Sequence, residues 1–382
     1  MIIQLLKYRL IQLLQGFLYL FPVHKNKVVF ANFLGRGMGG SPKYIAEEML
    51  RQELPYDIVW LVSNTNETFP SGIRPVKMFS LRGRYELATA HVIINNVKHK
   101  LPFKKKDKAQ YYIQTWHGDF ALKYIEKEVE DRLNPGYAAE SKADSRETDL
   151  ILSGSHQFTD IVKSSFWYDG EIFECGVPSN DPFFVHDGFL TKKVRNHFGI
   201  SEAAGIILYA PTFRDGDNSV FDIPDFDAIV NRLKEITGKT WVLLVRFHPL
   251  DQQQLARVKF NDNVVNGSSY PGTQDLSKAA DLVITDYSSL ISDFLLQRKM
   301  GVLFVPDVER YEQTRGLRPI FWEVPYPIVR TQKELIQHLE DLFQVESATK
   351  IESFLKDKIN SFDDGHASER VVERVQRVIS GR

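Results

Sequence analysis

The sequence predicts an α/β chain of two doubly wound halves, each a parallel sheet wrapped by helices, facing each other across a cleft. Three observations predict it. Short β-rich runs alternate with amphipathic helical patterns. The alternation halts once, at a Gly/Pro/Asn/Asp cluster, and then restarts. The 382 residues are too many for one ordinary domain and suit two of about 150–200 residues each.

In the first half the expected strands are Lys27–Phe33, Asp57–Ser63, His91–Asn95, Tyr111–Thr115 and Leu150–Ser153. Between the first two, Pro42–Gln52 reads as a helix with Ser41 as its N-cap and proline in its first turn. The cluster Gly176–Pro182 is the boundary. Beyond it Ile206–Ala210, Trp241–Phe247, Asn263–Asn266, Leu282–Thr285 and Val302–Val305 are strands, and Asp225–Thr237, Thr273–Ala280 and Ser288–Gln297 are helices. Two amphipathic helices, Lys333–Phe343 and His366–Ile379, close the chain. The division expected is 1–24 for an N-terminal amphipathic helix, 25–180 for a first domain and 181–382 for a second, with the last helices packing back toward the first. Ligands of such sheets sit outside the C-terminal strand ends, so loops from both halves should point into the cleft.

Composition narrows the function. The 43% hydrophobic and 25% charged fractions belong to a globular chain. Lys plus Arg (48) nearly balances Asp plus Glu (49), which argues against a nucleic-acid partner. Cys175, the single cysteine, excludes an intrachain disulfide and a multi-cysteine metal site. In residues 1–21, Ile3, Leu6, Leu10, Leu13, Leu14, Phe17 and Phe21 share one helical face, and Gln4, Lys7, Arg9, Gln12 and Gln15 the other. Lys7 and Arg9 interrupt the run of about 20 apolar residues that a bilayer span requires. The segment therefore reads as a helix in a membrane interface or as one packed on the protein body. Lys25, Lys27 and the run Lys98, Lys100, Lys104, Lys105, Lys106 and Lys108 favour an anionic membrane surface.

Four segments stand at strand C-termini. In Trp116-His117-Gly118 the histidine suits a general base on a tight turn, or a ring that only supports that turn. Arg246-Phe247-His248-Pro249 ends a strong strand, with Arg246 and His248 placed to face one side, toward a phosphate. Thr285-Asp286-Tyr287-Ser288-Ser289 leads into a helix, so it offers an anion site of backbone N–H groups and hydroxyls, or a simple N-cap. Ala210–Asp215 offers Thr212 and Arg214 to the same anion, or is a plain loop. Gly35-Arg36-Gly37-Met38-Gly39-Gly40 matches a dinucleotide fingerprint, but the second strand ends in Val62-Ser63-Asn64, without the ribose-binding acid. It stays a candidate cradle for a phosphorylated acceptor. Asp215, Asp217, Asp225 and Asp227 read as solvated acids, and no metal site is expected.

Taken in chain order, Ser41–Ile45, Trp116–Gly118, Gly176–Asp181, Tyr209–Arg214, Arg246–Pro249, Thr285–Ser289 and Asp364–Arg370 resemble the CDP-glycerol glycerophosphotransferase family, which includes wall teichoic acid primases and polymerases. The resemblance implies a GT-B-like fold with an acceptor-binding first domain and a donor-binding second domain. It implies a peripheral position on the cytoplasmic face of the cell membrane and no cofactor or required metal. The reaction implied is transfer of a polyol phosphate, glycerol the expected polyol, from a CDP-activated donor to a hydroxyl of a prenyl-pyrophosphate-linked saccharide, releasing CMP. His117 is then the base. His248 and Arg246 stabilise the pyrophosphate, Ser288 and Ser289 bind it, and Thr212, Arg214 and Asp286 complete the donor site. Gly37, Gly39, Lys104, Lys105 and Lys106 are assigned to the acceptor and the membrane. The length is nearer that of a primase than of a long-chain polymerase. The family's Thr-Pro-Leu-Lys after the histidine turn is here Asp119-Phe120-Ala121-Leu122-Lys123, and its Pro-Gly-Pro is Pro325-Tyr326-Pro327. The rivals are a glycosyltransferase of the same architecture and a catalytically silent membrane-bound scaffold.

Overall fold

The computed structural model describes residues 16–99, 104–214, 221–248, 251–343 and 346–381. The chain divides into two compact units. The first comprises residues up to Asp119, Glu126–Asp181 and Phe362–Arg382; the second comprises Phe120–Ile125 and Pro182–Ser361. Most of the helix expected over residues 1–21 lies outside the described residues, as do Lys100, Asp215, Asp217 and Pro249.

The first unit is built on seven strands: β1 His24–Ala31, β2 Asp57–Val62, β3 Ile73–Lys77, β4 Ala90–Asn95, β5 Tyr111–Gln114, β6 Leu150–Ser153 and β7 Glu171–Glu174. Every pairing is parallel, in the order β3-β2-β1-β4-β5-β6-β7. The last five residues of β1 and of β2 are buried on both faces, as a sheet covered by helices demands. Phe30 and Trp60 stack across them at 5.6 Å, in a core with Ile45, Met49 and Ile94.

The helix after β1 runs Gly40–Arg51, starting two residues earlier than expected, and its N-cap is Gly39 with no side-chain bond. Ser41 is therefore inside the helix, its hydroxyl 3.4 Å from Ser179 Oγ. The final helix, Ala367–Ser380, belongs to this unit and sinks Val371, Val372 and Val375 into its core. Asp181 fastens its start, accepting from the N–H groups of Ala367 (3.0 Å) and Ser368 (2.8 Å). Asp363 accepts from Val177 N–H at 2.7 Å and Asn180 Nδ2 at 3.1 Å. The turn cluster 176–182 is thus also the seat of the last helix.

The second unit has β8 Gly205–Tyr209, β9 Trp241–Val245, β10 Val264–Asn266, β11 Leu282–Thr285, β12 Met300–Phe304 and β13 Ile328–Val329. They form a parallel sheet in the order β10-β9-β8-β11-β12-β13. The helix Phe226–Thr237 starts on Asp225, whose carboxylate accepts from Ala228 N–H at 3.0 Å. The helix expected from Ser288 begins only at Ile291. Ser288 Oγ bonds Leu290 N–H at 3.2 Å, so the preceding residues form a turn and not a helical first turn.

Candidate functional site

In each sheet the strand order reverses once, between β1 and β4 and between β8 and β11, and ligands of doubly wound sheets bind beside such reversals. Of the segments singled out in the sequence, Gly35–Gly40 follows β1, Ala210–Arg214 follows β8 and Thr285–Ser289 ends β11, all at the reversals, whereas Trp116–Gly118 and Arg246–His248 follow the neighbouring strands β5 and β9.

In the first unit, β5 runs into Trp116, which has φ of +56° although it is not a glycine. Such a backbone costs roughly 1–3 kcal/mol and persists only where its surroundings impose it. Gln114 Oε1 accepts from Trp116 N–H at 3.0 Å, and Thr115 Oγ1 donates to Trp116 carbonyl at 3.0 Å. Gln114 Nε2 in turn donates to Tyr112 Oη at 2.9 Å, and Tyr112 donates to Asp144 at 3.1 Å. His99 Nδ1 meets the same carboxylate at 2.8 Å, with Lys98 Nζ 3.9 Å away. Burial raises the Asp144 carboxyl, but the bond from His99 and the charge of Lys98 hold it below its usual range. A buried polar chain therefore fixes the turn from beneath.

On top of the turn His117 is exposed. Its Nδ1 lies 2.7 Å from the carbonyl of Asn96. A carbonyl only accepts, so Nδ1 carries the proton and Nε2 carries the basic lone pair of the neutral ring. Trp116 (4.3 Å) and Phe33 (5.3 Å) flank the ring. Asn96 follows β4, and its side chain also bonds Asn32 Oδ1 at 2.8 Å and Phe33 N–H at 2.9 Å. Asn32 reaches Arg36 carbonyl at 3.0 Å, which ties the glycine-rich loop to the histidine turn. Gly37 needs its φ of +61°, and a Cβ there would lie 2.8 Å from Glu67. At Gly39 a Cβ would press on Asn32 at 3.1 Å. Nothing in the sequence flagged Asn96 or Gln114 except their place at the ends of apolar strands.

The lysine run separates. Lys104 is exposed, Lys105 is ion-paired with Asp149, and Lys106 bonds Phe21 carbonyl and lies 5.6 Å from the Tyr19 ring.

In the second unit the loops after β8 and β11 are locked by charge. Asp286 accepts from Thr212 N–H (2.8 Å) and Tyr287 N–H (2.6 Å), and Arg214 pairs with both Asp286 and Asp307. Burial opposes the Arg214 charge, but Asp286 and Asp307 more than offset it and raise its pKa. Asp307 also accepts from Tyr287 Oη at 2.9 Å, and Tyr287 stacks on Tyr311 at 3.7 Å. Arg214 is 4% exposed and Asp286 2%. Both were expected to bind the donor; their side chains are engaged with each other, with Asp307 and with the N–H groups of Thr212 and Tyr287.

Arg246 contrasts with Arg214. Its guanidinium donates to the carbonyls of Gly267 (3.1 Å) and Tyr270 (2.7 Å) and to Thr273 Oγ1 (3.0 Å). Burial pulls its pKa down. It is fixed by neutral acceptors. His248 is exposed, its ring 5.4 Å from that of Phe213. Because β9 ends at Val245, Arg246 and His248 lie past the strand and its alternation does not govern them. Thr212 Oγ1 is buried with no hydrogen-bond partner among the described residues. These residues offer cationic and hydroxyl groups suited to phosphate oxygens. No cluster of three or more metal-ligating side chains is found among the described residues.

A family model described as CDP-Glycerol:Poly(glycerophosphate) glycerophosphotransferase matches residues 13–377. The chain is 29% identical to the teichoic acid poly(glycerol phosphate) polymerase of Staphylococcus epidermidis, over 94% of this chain and 51% of that protein. It thus spans about half the length of that relative. It is 25% identical to the teichoic acid poly(glycerol phosphate) polymerase of Bacillus spizizenii, over 93% of each. Chain length therefore does not separate primases from polymerases, contrary to the expectation from length. Among solved structures, the wall teichoic acid polymerase TagF soaked with CDPG is similar with a TM-score of 0.83 and 27% identity, over 94% of this chain and 90% of that one.

Proposed function

We propose, from the premise that this chain belongs to the CDP-glycerol:poly(glycerophosphate) glycerophosphotransferase family, that it transfers glycerol phosphate from CDP-glycerol to a hydroxyl of a lipid-linked acceptor in teichoic acid synthesis. The observation that carries the reading is the His117 ring, held by Asn96 so that Nε2 is its basic nitrogen. In this reading Nε2 takes the proton of the acceptor hydroxyl as its oxygen attacks the outer phosphorus of the donor. The bond to the bridging oxygen breaks and CMP departs with the electron pair. CMP is a good leaving group, so positioning and charge stabilisation carry most of the catalysis. Arg246, His248, Thr212, Ser288 and Ser289 take the diphosphate oxygens, Arg214 and Asp286 hold those loops in place, and no resident metal enters the scheme.

The GT-B type, with the first unit taking the acceptor and the second the donor, is part of this proposal. So is attachment to the cytoplasmic face of the membrane, where a prenyl-pyrophosphate-linked saccharide presents its hydroxyl. Exposed Phe17, Leu20, Phe21, Phe79 and Leu81 in the first unit support attachment, with Lys104 as an exposed cation. No helix among the described residues is long and apolar enough to cross a membrane.

The test is CMP release from CDP-glycerol, with and without a lipid-pyrophosphate disaccharide, for wild type and His117→Ala. Acceptor-dependent release that collapses in the variant is the expected result. A folded protein that releases CMP equally well without His117 overturns the assignment of the base. Binding of a UDP-sugar in place of CDP-glycerol overturns the donor.

A further inference from the structure

The second unit contains a lysine amine that, among the described residues, pairs with no carboxylate of its own. Lys123 lies in the segment Phe120–Ile125, which is bound to the unit by backbone pairing. Arg318 N–H donates to Leu122 carbonyl at 2.9 Å, and Lys123 bridges Leu317 in antiparallel register. Phe120 and Leu122 are buried in the core of the unit. The side chain is therefore delivered on an anchored stem. Its Nζ bonds Tyr311 Oη at 3.3 Å, a neutral partner. Tyr311 stacks on Tyr287, the residue before Ser288. The amine thus comes to rest beside the turn whose hydroxyls were assigned to the donor.

Both nearby carboxylates are already engaged. Asp286 accepts from Arg214, Thr212 N–H and Tyr287 N–H, and Asp307 accepts from Arg214 and Tyr287. A half-buried ammonium with no ion pair among the described residues is costly. Thr212 Oγ1, buried and unsatisfied, stands on the same frame. One ligand chemistry answers both, an anion with several oxygens.

The geometry points to Lys123 as a binding residue for the diphosphate of a nucleotide donor, its ammonium and the Thr212 hydroxyl taking phosphate oxygens beside Ser288. This deepens the proposed function and rests on it. The groups facing the amine are Asp286, which favours its charge, Arg214 and Arg315, which oppose it, and the phenol of Tyr311. Burial, with Arg315 and Arg214, brings the amine down to about 8 despite Asp286. Its charge is then lost as pH rises through that value, and anion affinity falls with it.

The experiment is equilibrium binding of CDP-glycerol by calorimetry between pH 7 and 9.5, for wild type, Lys123→Met and Lys123→Arg, with thermal melting to verify folding. Lys123→Met is expected to weaken binding at pH 7 by roughly ten- to a hundredfold, the worth of a charged hydrogen bond. Wild-type affinity should fall above pH 8, the Met variant should lose that dependence, and the Arg variant should bind at every pH. A folded Met variant with wild-type affinity and pH profile overturns the role of Lys123 and leaves the donor reading intact. A wild type that binds no CDP-glycerol overturns both.

Discussion

The two units of the molecule hold their candidate site residues by opposite means. In the first unit the hydrogen bonds that fix the His117 turn come from uncharged groups, the carbonyl of Asn96 and the side chain of Gln114. Charge enters through Asp144 with His99 and Lys98, and the Lys98 ammonium lies 5.5 Å from the centre of the Trp116 ring. In the second unit buried charges stand within the turn itself, with Arg214 clamped between Asp286 and Asp307. The difference teaches what each place has to do. A base must keep a lone pair, so a neighbouring carboxylate that stabilised its protonated form would alter its strength, whereas a carbonyl fixes the tautomer with little effect on it. Under the proposed function a diphosphate site must present positive charge in a fixed place; ion pairs set the frame there, and Arg246 is held by two carbonyls and a hydroxyl.

The largest effect that sharpens this comparison comes from His117→Ala. CMP release should fall by roughly 10²–10⁴, the range of general base catalysis, while CDP-glycerol affinity measured by calorimetry stays the same. Loss of affinity in that variant would break the separation of roles. Next is Arg214→Met, which leaves Asp286 and Asp307 buried without their cation. Urea denaturation should report a loss of about 3–5 kcal/mol, and an unchanged midpoint would show that the charges do not hold the frame. A smaller loss is expected from Gln114→Leu, which removes the acceptor of Trp116 N–H. It should cost about 1–3 kcal/mol and lower kcat with donor affinity intact.

The smallest effect concerns Asp119, whose carboxyl is raised well above its usual range by burial and by the charge of Asp363. A carboxyl raised in the folded state contributes most below its unfolded pKa, and that contribution is lost as pH rises through the folded value. Asp119→Asn should therefore melt at a higher temperature than wild type at pH 7 and converge with it near pH 4. Parallel melting curves across that range would contradict the assignment.

The central strands were legible because burial on both faces leaves almost nothing but apolar residues, as in Asp57–Val62 and Leu282–Thr285. The edges were not. Ile73–Lys77 carries Pro75 and two basic residues, Glu171–Glu174 is half acidic, and Ile328–Val329 is too short to show a period. The candidate site positions His117, Arg246 and Ser288 were read from strands that end abruptly in polar residues. Their partners were hidden because the pairs are distant in sequence: Arg214 meets Asp307, and His117 meets Asn96 through a backbone carbonyl that no side-chain pattern encodes. The helix start at Ile291 escaped notice because Ser288 caps a turn as readily as a helix.

The return of Ala367–Ser380 to the first unit bears on how the chain emerges from the ribosome. Val371, Val372 and Val375 complete a core whose other members lie between Val28 and Cys175. Translation of the intervening Pro182–Ser361 takes on the order of ten to forty seconds at ordinary elongation rates. During that interval Ile45 and Met49 have no cover from the valines that later shield them. The first unit is thus begun first and finished last. A nascent chain stalled within the second unit would expose an apolar groove, the kind of surface that chaperones hold.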